Sequence, residues 1–315
     1  MRSPSPAENV LWRCLMKTME AGKRIALKNI LFATDFSPCS NAALPYALSV
    51  ARRYGATLLA AHVMPTESDM LFMSPENWSA AAEEEDKRIQ GCIEQLESQL
   101  HGLPHGVLTP RGKVSHALAQ IIEGHDIDLL VLGSHGRSGI RKLVMGSVAE
   151  EIFRRAACPV ISVGPNVSRK PDREAEFHRI LFATDFSPES LAALPFAISL
   201  AEEDVAQLAL LHVAVQPAVG IVDREAVTAS LVRRLRELIP TEAKPWCDAE
   251  CLVEFGGRFV PPAERILEVA EDRAADLIVL GVRRVHSNLR LVTHLASTTD
   301  QILTQAGCPV LTVRG

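Results

Sequence analysis

At 315 residues the chain has room for about two domains of ordinary size. Its 47% hydrophobic and 23% charged residues suit a chain that buries a core, and its net charge of −5 argues against the strongly basic face of a nucleic-acid binder. No run approaches the ~18 consecutive apolar residues of a membrane span, and the seven cysteines, an odd number thinly spread, read as cytoplasmic thiols rather than a disulfide framework.

Residues 1–27 read as an N-terminal tail. It carries Arg2, Arg13, Lys17, Lys23 and Arg24 without a continuous apolar stretch, so no secretory signal is expected. Short apolar runs then mark five strands, at Asn29 to Thr34, Leu58 to Val63, Val107-Leu108, Leu129 to Leu132 and Val160 to Val163. Continuous apolar runs of this length suit strands buried on both faces of a parallel sheet. Helices fill the intervals. Ser37-Pro38 is an N-cap followed by a proline at the first helical position, and Gly55 is a stop. Ala43, Ala47, Leu48 and Ala51 make an apolar stripe, interrupted by Pro45, which should kink or break the helix. Further stripes are Ile89, Ile93, Leu96 and Leu100, then Ala117 and Ile121, then Val148, Ile152 and Phe153.

The whole pattern occurs twice. Ile30-Leu31-Phe32-Ala33-Thr34-Asp35-Phe36-Ser37-Pro38 returns letter for letter as Ile180 to Pro188, an offset of 150 residues. At that offset Ala42 to Pro45 matches Ala192 to Pro195, His62-Val63 matches His212-Val213, and Cys158-Pro159-Val160 matches Cys308-Pro309-Val310. Markers that keep one spacing across a complete unit signal duplication of a domain. The expected division is therefore a first domain over 28–165, a polar, proline-containing linker over 166–176 and a second domain over 177–315. Each domain is α/β: five parallel strands in an open, Rossmann-like sheet of order 3-2-1-4-5, with right-handed crossovers and helices on both faces. Such sheets bind ligands at the carboxyl ends of the strands where strand order reverses. Asp35 ends the first strand there and Gly133 the fourth.

After the fourth strand comes a glycine-rich stretch from Gly133 to Ser147. Gly133 and Gly136 would let backbone N–H groups approach an anion without a Cβ in the way. Gly146-Ser147 opens a helix whose first amides are unpaired, and Arg137, Arg141 and Lys142 add positive charge nearby. The same letters also allow a plainer interpretation, since Ser147 with Glu150 is a capping box and glycine loops are often only turns. No Gly-Lys-Ser/Thr is present, so this is not a P-loop.

The spacing Gly-x2-Gly-x9-Gly-Ser, met by Gly133, Gly136, Gly146 and Ser147, resembles the ATP-binding signature of the universal stress protein family. Asp35, His62-Val63 and Cys158-Pro159-Val160 strengthen that resemblance, which spans both halves. It implies that Asp35 sits by the ribose and adenine and that Val63 lines the adenine pocket. By the same resemblance, Gly133, Gly136, Gly146 and Ser147 hold the phosphates of ATP, carried with Mg²⁺. It also implies a stress-response protein, commonly a homodimer, with at most weak ATP hydrolysis.

The second half departs from the signature. Only Gly281 of the three motif glycines remains, Ala296-Ser297 stands for Gly146-Ser147, and the loop is two residues longer. Ser297 and Asp300 can still cap the helix. Weak or absent nucleotide binding is expected there despite Asp185 and Val213, with a different anion on Arg283, Arg284 and Arg290 as the rival reading. Cys247-x3-Cys251 is a tolerable zinc spacing without a second Cys/His pair at a conventional distance, or two ordinary thiols. His62 and His212 recur at strand ends, but no nucleophile or orienting acid stands at a readable spacing. The expectation is thus a cytoplasmic protein with one ATP site per chain and no metal site or catalytic residue. Its fifth strands, at the sheet edges, are candidates to pair with each other within the chain. A nucleotide-independent partner-binding module and a slow ATP hydrolase are the alternatives.

Overall fold

A computed structural model describes residues 25–64, 75–134, 147–167, 175–215, 223–244, 247–257, 260–283 and 297–315. Its contacts divide the chain into two compact units, one of residues 26–176 with 285–312 and one built on 177–284 with 313–315.

In the first unit the order is β1 (Asn29–Ala33), α1 (Pro38–Asn41), α2 (Leu44–Tyr54), β2 (Thr57–Ala61), α3 (Pro75–Leu100), β3 (His105–Leu108), α4 (Val114–Gly124), β4 (Leu129–Gly133), α5 (Ser147–Arg155) and β5 (Val160–Val163). The strands lie side by side as β3-β2-β1-β4-β5, all parallel. Their interior is apolar on both faces: Ile30, Leu31 and Phe32 of β1 and Leu129 to Leu132 of β4 are all buried. A parallel sheet clothed by helices requires this. Helix stripes complete the core, with Ala47, Leu48 and Ala51 from α2, Ile89, Leu96 and Leu100 from α3, and Ala117, Leu118 and Ile121 from α4. Asp128 ties the start of β1 to the start of β4: its Oδ2 accepts from the amides of Lys28 at 2.7 Å and Asn29 at 3.0 Å.

The second unit repeats the scheme with β6 (Arg179–Ala183), α6 (Pro188–Leu191), α7 (Leu194–Asp204), β7 (Gln207–Val215), α8 (Arg224–Glu237), β8 (Glu250–Gly256), α9 (Pro262–Asp272) and β9 (Leu277–Val282). Its strands lie as β8-β7-β6-β9, again parallel. Asp276 repeats the clamp, accepting from the amides of His178 and Arg179, both at 2.9 Å. The remaining elements are α10 (Thr298–Gln305) and β10 (Val310–Arg314). β10 runs antiparallel to β5, with Val310 opposite Ser162 and Thr312 opposite Val160.

Pro45 splits its helix as the sequence predicts. Lacking an N–H and with a ring that would strike the preceding turn, it cannot lie inside α1. Pro45 instead takes the first turn of α2, where proline is tolerated, and Pro195 does the same for α7. β1 and β2 end a residue or two earlier than the apolar runs suggest, although the Thr34 and His62 amides still donate to the Ala61 and Leu108 carbonyls, both at 2.9 Å. No helix among the described residues is long and apolar enough to cross a membrane.

The two repeats stop their second helices differently. Gly55 closes α2 at φ 59°, its amide reaching the carbonyls of Ala51 and Arg52. Val205 closes α7 in the same left-handed geometry at φ 51°, although its side chain is β-branched. That conformation costs a side-chain-bearing residue about 1–2 kcal/mol, and Val205, 91% exposed, recovers little by packing. Val205→Gly is expected to stabilise the protein by about 1 kcal/mol, read as a higher midpoint in chemical denaturation. An unchanged or lower midpoint would refute the strain.

Candidate functional site

The carboxyl ends of β2, β1 and β4 meet where strand order reverses, because β1 pairs with β2 on one side and β4 on the other. Ala33 stands opposite Ala61 in one ladder and opposite Leu132 in the other. Asp35, Val63 and Gly133 therefore follow at the ends of three adjacent strands. Asp35 and Val63 are half-buried. Ser147 is the first residue of α5. Gly136 and Gly146 lie outside the described residues, as do His135, Arg137, Arg141 and Lys142.

The turn after β1 is built from short local bonds. The Phe36 amide donates to Thr34 Oγ1 at 2.9 Å, and the Ser37 amide donates to Asp35 Oδ1 at 2.9 Å. Ser37 then caps α1, its hydroxyl accepting from the Ser40 amide at 3.2 Å. Between these bonds Phe36 adopts φ 59°, a left-handed conformation that a bulky residue takes only when its surroundings force it. His62 supplies part of that force. Its ring stands 4.7 Å from the Phe36 ring, and its Nδ1 lies 2.9 Å from the Thr34 carbonyl oxygen. A carbonyl only accepts, so Nδ1 carries the proton. His62 is a buried structural histidine, 5% exposed.

Gly133 has a steric task of its own. A Cβ there would lie 2.9 Å from the backbone of both Cys39 and Ser40. The space left by its missing side chain is filled by α1, so what Gly133 can offer a ligand is its main chain, not room. Cys39 is half-buried, its Sγ donating to the Val163 carbonyl at 3.6 Å.

The second unit copies the turn and changes its surroundings. Phe186 has φ 61°, its amide donates to Thr184 Oγ1 at 2.9 Å, and His212 Nδ1 meets the Thr184 carbonyl at 2.8 Å. Gly281 is pressed harder than Gly133, since a Cβ would come within 2.0 Å of the Glu189 carbonyl oxygen. Three differences matter. Arg234 of α8 lies over the Phe186 ring, 4.1 Å from its centre, and Phe186 is buried where Phe36 is half-buried. Arg283 stands 3.9 Å from Asp185 and 4.0 Å from Glu189, which replaces Cys39. The Ser187 hydroxyl turns to the Asp185 carboxylate, whereas Ser37 turns to Ser40.

Electrostatics follow from these contacts. Burial pushes the Asp185 carboxyl up, but the hydroxyl and amide of Ser187, then Ser190 and Arg283, outweigh it and hold the group below its ordinary range. Burial lowers His212, and the neighbouring Arg234 lowers it further, against the raising effect of the Thr184 carbonyl and Asp185. Elsewhere, burial pushes the Cys158 thiol up to about 12, and Cys158 and Cys308 are buried fillers. Burial also raises the thiols of Cys247 and Cys251. Among the described residues no group of three or more His, Cys, Asp or Glu could hold a metal ion. Ser297 and Asp300 form the reciprocal capping box at the start of α10, each amide donating to the other's side chain at 3.1 Å.

Sequence reasoning singled out Asp35 and Gly133, which the fold brings to the reversal of strand order, but not Thr34, Phe36 or Arg234. The verbatim return of Thr-Asp-Phe-Ser in both halves was the available signal for the first two. Nothing local marks Arg234, which reaches Phe186 from a helix dozens of residues away.

The model of the universal stress protein family matches the chain twice, over residues 26–164 and 176–314. A universal stress protein of Mycobacterium tuberculosis is 25% identical over 245 residues, covering 76% of this chain and 80% of that protein. Universal stress protein A homolog 1 of Coxiella burnetii is 33% identical over 147 residues, 43% of this chain and 95% of its own length. The crystal structure of a universal stress protein from Archaeoglobus fulgidus superposes with a TM-score of 0.67 at 21% identity, covering 91% of this chain and 98% of that one.

His212 offers a check on the second site. With its pKa lowered in the fold, the unfolded chain binds more protons as pH falls below about 6.5, so this stabilising contribution is present above that value and lost beneath it. His212→Asn, which keeps a donor for the Thr184 carbonyl, should flatten the fall of unfolding free energy between about pH 7 and pH 5, measured by urea denaturation. A slope identical to wild type would remove His212 from the titration.

Proposed function

The chain belongs to the universal stress protein family, and we propose that its N-terminal repeat is an adenine-nucleotide site while its C-terminal repeat is a degenerate copy. The observation that carries this reading is the placement of Asp35 and Gly133 at the reversal of strand order, directly before the glycine-rich stretch. Open α/β sheets take their ligands at that place. A carboxylate at the end of β1 suits ribose hydroxyls, and Val63 gives an apolar wall for the base. Main-chain amides from Gly133 to Ser147, with the positive end of the α5 dipole, suit phosphates.

The second repeat supports the reading by contrast. Gly281, the one motif glycine it keeps, is pressed against the main chain of Glu189 and Ser190, with no room for a side chain. The position of Gly146 has become Ala296. Arg234 covers the aromatic face, and Arg283 attends the carboxylate. A nucleotide would have to displace both.

ATP with Mg²⁺ is the proposed ligand, since donors are spread over a stretch long enough for several phosphates. When bound, the ion would neutralise phosphate charge; this chain's part is to bind and orient the nucleotide. Efficient turnover is not proposed, because among the described residues no side chain near Asp35 is placed as a general base. We also place the protein in the cytoplasm, in keeping with six free thiols among the described residues.

Titration calorimetry with ATP and Mg²⁺ is expected to give about one ATP per chain, lost in Gly136→Val and in Gly146→Val and unaffected by Ala296→Val. Two sites per chain, or binding that survives both glycine substitutions, would overturn the assignment.

A further inference from the structure

Asp35 stands at the middle of a turn that no element of regular structure holds. β1 has ended at Ala33, and α1 does not begin until Pro38. The carboxylate can point the same way in every molecule only if the intervening backbone is pinned. One pin is the Ser37 amide on Asp35 Oδ1. A second is the hydroxyl of Thr34, a residue 7% exposed, which accepts the Phe36 amide and meets Ser40 Oγ at 3.1 Å. Ser40 Oγ in turn donates to the Ser37 carbonyl at 3.0 Å, so the hydroxyls close a ring beneath the turn. Loss of the Thr34 oxygen would leave the Phe36 amide without its acceptor, and the left-handed conformation of Phe36 would lose the bond that offsets it.

We propose that Thr34 is the positioning residue of the nucleotide site: its hydroxyl, held by Ser40, fixes Phe36 in the left-handed conformation and so aims the Asp35 carboxylate at the nucleoside end of the ligand. This rests on the assignment of Asp35 to ribose and adenine made above. Thr34 touches no ligand itself. Its effect falls on the nucleoside part that every adenine nucleotide shares, not on the phosphates.

The duplication supplies an internal control. Thr184 makes the same bonds, to the Phe186 amide at 2.9 Å and to Ser190 Oγ at 2.8 Å, in the repeat that is assigned no nucleotide. Thr34→Val and Thr184→Val are matched cuts of near-equal volume, and both should lower the melting temperature by a similar amount.

The experiment compares ATP and AMP affinities of the full chain, with Mg²⁺, for wild type, Thr34→Val, Thr34→Ser and Thr184→Val. Thr34→Val is expected to weaken both ligands by about tenfold or more, with the ratio of the two affinities unchanged. Thr34→Ser, which restores the hydroxyl, should stay within about threefold of wild type, and Thr184→Val should match it. Wild-type affinity in Thr34→Val, an equal loss in Thr184→Val, or a loss confined to ATP would each refute the positioning role. Should Thr34→Val not fold, Ser40→Ala removes the partner that orients the hydroxyl and is expected to weaken ATP and AMP together, and unchanged affinity there would refute it too. A wild type that binds neither nucleotide would instead overturn the assignment of the site, and the positioning role with it.

Discussion

Two backbones meet at the end of β4 with nothing between them. α1 lies so close to Gly133 that one added carbon would stand 2.9 Å from the main chain of Cys39 and Ser40, and at Gly281 the same carbon would stand 2.0 Å from a carbonyl oxygen. That contact seats the first short helix over the fourth strand of its repeat. The turn before the helix, which carries Asp35 or Asp185, is thereby brought to the point where strand order reverses. Any larger residue would lift the helix, and the crevice with it. The requirement belongs to the fold first and to a ligand second, which explains why it persists in a repeat whose other motif glycines are gone.

The same separation of duties applies to the turn itself. Phe36 and Phe186 are both left-handed, both packed against a tilted histidine ring and both tethered to a threonine hydroxyl. Identical strain in two repeats of unequal motif content means that the strained turn does not by itself define a site. The repeats diverge in what stands around it. The second brings a guanidinium to the aromatic face and another to the carboxylate. Glu189, near Arg283, stands where the first repeat has Cys39.

Much of this was readable in the letters, for physical reasons. Ile30, Leu31 and Phe32 must all be apolar because a central parallel strand meets helices on both faces, so strand positions could be inferred from apolar runs, and their order from the crossovers of an open α/β sheet. Ser37-Pro38 and Pro45 act within a single turn of chain, and their caps and breaks fell where expected. The left-handed Phe36 was not readable, because local preference forbids it and only Thr34 and His62, brought together by the fold, impose it. Arg234 over Phe186 is likewise a product of packing between distant segments. The role of Gly133 was half visible: the absence of a side chain was noted, but the neighbour that needs the space was α1 and not an anion.

Amide hydrogen exchange on the intact chain, with and without ATP and Mg²⁺, bears most directly on main-chain binding of phosphate by the N-terminal repeat. Nucleotide should slow exchange in the stretch from Gly133 to Ala149 and leave the start of α10, from Ser297 to Asp300, unchanged. Slowed exchange at Ser297 to Asp300 instead, or no change in either stretch at saturating nucleotide, would contradict it.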